Sequence, residues 1–277
     1  MGATERTAYT RAQLERLIAP QSIAIVGASP RAGSFGMRTL ENLAQYKGEV
    51  LLVNAKYERI GERACHASLK ALPRPPDCAV LVVPREVVAP TLEEAAAAGV
   101  GSVIVYASGY GEMDRAGSAG AQRRLAAIAR AAQMPMLGPN CMGLVNHALG
   151  AGMTFIPEYA RAPRNPGSIA VVSQSGALGY TLVQAWDRGV GIRCLVLSPL
   201  AQLRVLGSPL FGQFDLISNL RILCWTEPFL NAAPRLRNPR LGGYGRRVGT
   251  RTADLCRVNL GQVIYLVDSS SFSLHRV

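Results

Sequence analysis

The stretch "SIAIVGASPRAGSFG", residues 22–36, decides the fold. Its first five residues form an apolar run that reads as a strand ending at Gly27. The turn that follows contains Gly27, Gly33 and Gly36 together with Ala28, Ser29, Arg31, Ser34 and Phe35. Met37, Leu40, Leu43 and Ala44 then recur at helical spacing. Strand, glycine-rich turn and helix in that order form a phosphate-binding corner. Glycine lets the backbone approach an anion, and the helix N-terminus offers N–H groups that have no partner within the helix. The spacing is not G-x-G-x-x-G. The loop is longer and adds a cation, Arg31, and two hydroxyls, Ser29 and Ser34.

The same rhythm continues downstream. Apolar runs at 50–53, 78–83, 102–107 and 134–137 read as further strands. The run at 78–83 is continuous, as in strands buried on both faces. Helices are expected over 91–98, entered through Pro90 and stopped by Gly99, and over 118–132, with Leu125, Ile128 and Ala129 on one face. The alternation argues for a doubly wound parallel sheet. Residues 1–20 read as a polar lead, 21–150 as the first domain, and 151–167, which includes Pro163, Pro166 and Gly167, as a linker. A strand at 169–172 and a helix at 177–188 open a second α/β unit over 168–192, and 192–197 permits one more strand. The expected fold class is α/β: a Rossmann-like doubly wound parallel sheet, then an incomplete flavodoxin-like domain, then an irregular tail.

The tail, 193–277, differs in composition. It holds 11 Arg, no Lys and four acids, a net +7 of the chain's +12. The remaining excess of +5 suits a domain that binds a small polyanion and does not call for nucleic acid. No aromatic stacking platform accompanies the arginines, so a nucleic-acid partner is not expected. Prolines at 199, 209, 228, 234 and 239 break its periodicity, and a shifted reading frame or a divergent replacement would produce such a stretch. There is no apolar h-region near the N-terminus and no run of 18 apolar residues, so neither a signal peptide nor a membrane partner is expected. Six cysteines, none in a CxxC, fit reduced thiols in the cytoplasm and exclude a zinc-ribbon or redox motif.

The second strand carries the next chemical signal. A dinucleotide site wants an acid there for the ribose hydroxyls. This chain has Asn54 and then Lys56. A lysine suits a ribose that bears a phosphate, which admits both NADP and coenzyme A. Three more loops follow strands and so fall where open α/β sheets bind ligands. They hold Val83 and Pro84; Ser108, Gly109 and Glu112; and Asn140 and Cys141. Cys141 reads as a small packed residue, since no His lies near it in sequence. Ser173, Gln174, Ser175 and Gly176 stand where strand 169–172 gives way to a helix, and read either as an N-cap or as an anion site.

Six motifs together resemble one family, the NDP-forming acyl-CoA synthetases, relatives of the succinyl-CoA synthetase alpha subunit. They are "IVGAS" (25–29), "GSFG" (33–36), "VNAKY" (53–57), "SGYGE" (108–112), "GPNCMG" (138–143) and "VVSQSGALG" (171–179). The resemblance covers roughly residues 15–192. It implies that Gly27, Ser29, Arg31, Ser34 and Phe35 cradle the nucleotide end of coenzyme A. Lys56 would meet a phosphate, and Val83, Pro84 and Asn140 would line the groove. Residues 173–176 would hold a phosphoryl group. The family joins a carboxylic acid to coenzyme A with a nucleoside triphosphate, through an acyl phosphate and a phosphohistidine. The histidines here, His66, His147 and His275, do not stand where the family carries that residue. The ATP-grasp portion is also missing, so ATP or ADP would enter only with an ATP-grasp partner; the expected partners are coenzyme A or acyl-CoA and an ATP-grasp subunit or a second copy of the chain. The expectation is a coenzyme A-binding, truncated family member, inactive alone. The alternatives are a non-catalytic acyl-CoA sensing module and an NADP-dependent oxidoreductase.

Overall fold

The computed structural model describes residues 9–111, 117–157, 169–173, 191–197, 220–224, 265–267 and 274–276. The decisive stretch folds as expected. Strand β1 (Ser22–Val26) runs into a loop and then helix α2 (Phe35–Asn42). Ahead of them, helix α1 (Arg11–Ile18) occupies what reads as a polar lead. Its start is a capping box: the Thr10 side chain accepts from the Gln13 N–H, and Gln13 reaches back to the Thr10 N–H. Thr10→Ala should cost about 1 kcal/mol of stability, read as a lower urea midpoint at unchanged slope; an unchanged midpoint would show that the box contributes nothing.

Strands β2 (Glu49–Val53), β5 (Cys78–Leu81), β6 (Ser102–Val105) and β7 (Met136–Leu137) join β1 in a parallel sheet, extended at one edge by a hairpin of β3 (Arg59–Ile60) and β4 (Arg63–His66). The order is β3-β4-β2-β1-β5-β6-β7, with only β3 antiparallel to its neighbour. Side chains alternate between the two faces, as a pleated strand requires. Ile23 and Ile25 of β1 enter one core with Leu14 of α1 and Leu43 beyond α2. Ala24 and Val26 enter the other, beneath helices α3 (Arg85–Ala97) and α4 (Ser118–Ala131) through Val88, Leu92, Leu125 and Ala129. Helices on both faces make the sheet doubly wound.

Helix α3 corrects the expected start at 91. It begins at Arg85, with Pro84 at the cap and Pro90 inside. Pro90 removes one helical donor. The buried face of Val88, Leu92 and Ala95 runs straight through it, and that burial outweighs the lost bond.

The expected linker at 151–167 also begins differently. Strands β8 (Gly143–Asn146) and β9 (Ala151–Thr154) form an antiparallel pair, which joins a second sheet with β10 (Ile169–Ser173), β11 (Ile192–Leu197) and β12 (Leu220–Cys224) in the order β12-β10-β11-β8-β9. Strands β10 and β11 are parallel; the other pairs are antiparallel. Cys194, Leu195 and Val196 are buried, so the first residues of the Arg-rich stretch lie inside this sheet. Leu144, Met153 and Val196 share a core with Ile25 and Val80, and the two sheets are therefore fused. A hairpin of β13 (Tyr265–Val267) and β14 (Leu274–Arg276) completes the described elements. The helix expected at 177–188 lies outside the described residues. Among the described residues, no helix is long and apolar enough to cross a membrane.

Candidate functional site

In a sheet ordered this way, the strand order reverses between β1 and β5, and the loops beyond them lead to helices on opposite faces, α2 and α3, which is where open α/β sheets form a ligand crevice. The glycine loop occupies one wall of it. Gly27 ends β1 at φ 87°, and a Cβ built there would overlap the Val82 carbonyl oxygen. Its N–H donates to the Val53 carbonyl at 2.8 Å, which ties the loop to the end of β2. Gly36, in the first turn of α2, lies under the loop. A Cβ there would come within 3.1 Å of the Gly27 oxygen and 3.3 Å of the Ser29 nitrogen. Gly33, at φ 71°, faces open space.

Both expected hydroxyls are engaged locally, yet each keeps a proton to give. Ser34 caps α2, its Oγ accepting from the Met37 N–H at 3.2 Å. Ser29 Oγ accepts from the Arg31 N–H at 3.2 Å. An accepting hydroxyl can still donate to an anion. The side chains of Arg31 and Lys56 are exposed, and no ion pair engages either among the described residues. Asn54 acts as a brace: its Nδ2 donates to the Ala28 carbonyl at 2.7 Å, and its Oδ1 accepts from the Lys56 N–H at 2.9 Å. That side chain fixes the two loops against each other and keeps a second N–H and a second lone pair.

On the opposite wall, Val83 is half-buried and Pro84 is exposed at the start of α3. The Arg85 guanidinium lies 5.3 Å over the Tyr110 ring, and the Tyr110 hydroxyl donates to the Arg85 carbonyl at 3.1 Å. Gly109, at φ 94°, gives Arg85 room: a Cβ there would meet Arg85 Cδ at 2.9 Å. Ser108 is exposed beside it. The Asn140 N–H donates to the Ala107 carbonyl at 2.8 Å, holding the loop after β7 against the loop after β6.

Cys141 points inward. Its thiol donates to the Val105 carbonyl at 3.3 Å, and burial pushes it up to about 12. At pH 8 it is therefore a thiol, not a nucleophilic thiolate. Iodoacetamide at pH 8 should leave Cys141 unmodified in the native protein and label it in urea, as read by peptide mass mapping; native labelling would show the loop to be open. His147 is also buried, and burial pushes its imidazole down to about 4. Its backbone N–H donates to the Arg193 carbonyl.

Glu112, Gln174, Ser175 and Gly176 lie outside the described residues, as does the side chain of Ser173, whose backbone ends β10 opposite Leu197 and Leu220. The structure adds residues that sequence reasoning passed over. Phe155, just beyond β9, stacks on Phe35 with ring centroids 4.1 Å apart, and Tyr106 meets Phe155 edge-on at 4.9 Å. No periodicity marks Phe155, because it follows the last residue of a short strand.

The sheet order and the glycine loop define a Rossmann-like doubly wound domain. Comparison with known proteins narrows that class. Residues 21–147 match the model of the CoA binding domain family. The chain is 36% identical over 180 residues to a trans-feruloyl-CoA synthase from an unknown prokaryotic organism, covering 64% of this chain and 25% of that protein. It is 34% identical over 181 residues to an ADP-forming acetate–CoA ligase of Archaeoglobus fulgidus, covering 65% of this chain and 25% of the ligase. Its fold matches the dinucleotide-forming acetyl-coenzyme A synthetase 1 of Ca. Korarchaeum cryptofilum, solved with phosphate and ADP. That match has a TM-score of 0.62 at 31% identity and covers 68% of this chain and 40% of that one. Residues 21–147 belong to the CoA-binding domain family and are homologous to the corresponding part of NDP-forming acyl-CoA synthetases. The aligned part spans about a quarter of the length of these two curated relatives.

Proposed function

We propose that the crevice between β1 and β5 binds coenzyme A, and that the chain is the coenzyme A-binding portion of an acid–CoA ligase. One observation carries the reading: a loop without Cβ atoms at Gly27, Gly33 and Gly36 carries the exposed Arg31, and Asn54 ties it to the segment that holds the exposed Lys56. The loop amides and the N-terminus of α2 suit a pyrophosphate. Lys56 suits a phosphate on the ribose, and Val83 and Pro84 line the way for an apolar arm. The fit is to the polyanionic end of the molecule, and all of the chemistry assigned to these residues is binding.

Ligation on this reading takes place with an ATP-grasp partner, which supplies the nucleotide site, and with a phosphoryl carrier from outside residues 1–277; a second copy of the chain is a further proposed partner. His147 is sealed in a core, and the His66 backbone is pinned in β4 by the Asn54 N–H at 2.9 Å. Residues 173–176 are the proposed phosphate loop. The free, buried Cys65, Cys78, Cys141 and Cys194 suit the reducing cytoplasm, where we place the chain. Thermal melting with coenzyme A and NADP in parallel tests the core of this reading. Coenzyme A should raise the midpoint at lower concentration than NADP, and added salt should weaken the effect. A shift with NADP and none with coenzyme A would overturn it.

A further inference from the structure

Helix α2 is fastened to the second sheet by a closed ring of contacts. Phe35, the first residue of α2, is 46% exposed and directly follows the glycine loop. Behind it, the half-buried Phe155 ring stacks nearly parallel, at 14°. Tyr106, from the end of β6, closes edge-on against Phe155. The fully buried Thr39 hydroxyl donates to the Phe35 carbonyl at 2.8 Å, so the Tyr106 hydroxyl, 3.3 Å away, donates to Thr39. One turn on, Asn42 Nδ2 donates to the Thr154 carbonyl at 2.7 Å, directly before Phe155. The ring thus joins the α2 N-terminus, the end of β6 and the end of β9.

From this geometry we infer that Phe155 is a positioning residue for the coenzyme A loop, holding the plane of Phe35 and hence the first turn of α2. The inference rests on the coenzyme A reading above. Phe155 need touch no ligand. It acts by removing freedom that the loop would otherwise lose on binding, so less is lost when the ligand arrives. The aromatic partner is the operative feature, because offset rings fix an orientation that an aliphatic side chain of similar bulk leaves free.

Calorimetry on the full chain tests this with Phe155→Leu and Phe155→Tyr. Phe155→Leu keeps apolar bulk without the stack and should weaken coenzyme A binding about fivefold, in the range of one aromatic pair. Phe155→Tyr keeps the ring and should bind within about twofold of wild type on the same scale. Without ligand, amides 33–38 of Phe155→Leu should exchange faster than in wild type while the global unfolding midpoint stays close. Should Phe155→Leu fail to fold, Phe155→Met takes its place. Equal affinity in wild type and the aliphatic variant, or equal loss in Leu and Tyr, overturns the positioning role alone. Absence of coenzyme A binding by wild type overturns the functional reading and the positioning role with it.

Discussion

Replacing Lys56 with Ala should weaken coenzyme A binding by about ten- to a hundredfold. The figure is that of one charge-assisted hydrogen bond, about 1.5–3 kcal/mol. The structure supplies the conditions for it. The lysine is exposed, and its own amide is held by Asn54 at 2.9 Å. The residual affinity of Lys56→Ala should also fall less steeply with salt than that of wild type, since one fewer charge is screened. Lys47, exposed ahead of β2 and so at the other end of the strand, is the control. Lys47→Ala should bind as wild type does. Equal affinities for Lys56→Ala and wild type would remove the ribose phosphate from this position and with it the assignment of the crevice.

The second large effect is on stability. Gly27→Ala should cost about 3 kcal/mol, the sum of left-handed backbone strain and forced displacement of a packed neighbour. At φ 87° an added Cβ runs into the Val82 carbonyl, which is backbone and cannot rotate away. On a domain of this size that is a fall of about 10 °C in the melting midpoint. Gly33→Ala provides the contrast. Its φ of 71° is also positive, but nothing lies within 4 Å of the new Cβ, so only the backbone term of about 1 kcal/mol remains. Equal losses at the two positions would show that the close approach of the β1 and β5 ends does not matter.

The local pattern was legible where sequence neighbours are also spatial neighbours. The β1–loop–α2 corner could be read residue by residue, because its strand, turn and cap all lie within 15 residues. Helix α1 was missed although Thr10 and Gln13 spell its capping box; only Leu14 and Leu17 are buried on it, too few to show a period. Strands β8 and β9 were missed for a different reason. Leu144 pairs with Val196, and no local rule joins residues that far apart. Asn54 shows the limit for sites. Its type and place suggest a ligand contact, and the bridge its amide makes between two loops joins residues 26 apart, which no local pattern reveals.

Helix α1 carries one more consequence. The Tyr9 hydroxyl donates to the Met134 carbonyl, Gln13 Nε2 to the Gln133 carbonyl, and Asn146 Nδ2 to the Ile18 carbonyl. Arg16 reaches Asp77 at 3.0 Å, and Ser102 Oγ lies within hydrogen-bonding distance of the Arg16 and Asp77 carbonyls. A short helix ahead of the recognisable domain is therefore bolted to the amino ends of β5 and β6, to the turn before β7 and to a strand of the second sheet. The segment that inheritance marks out, 21–147, and the segment that must fold together are different lengths of chain. Cutting at 21 strips the cover from Ile23 and Ile104; cutting at 147 leaves β8 without β9 and α2 without the acceptor for Asn42. Even a piece that keeps α1 and β9 gives up the pairing of β8 with β11 and the packing of Val196 on the shared core.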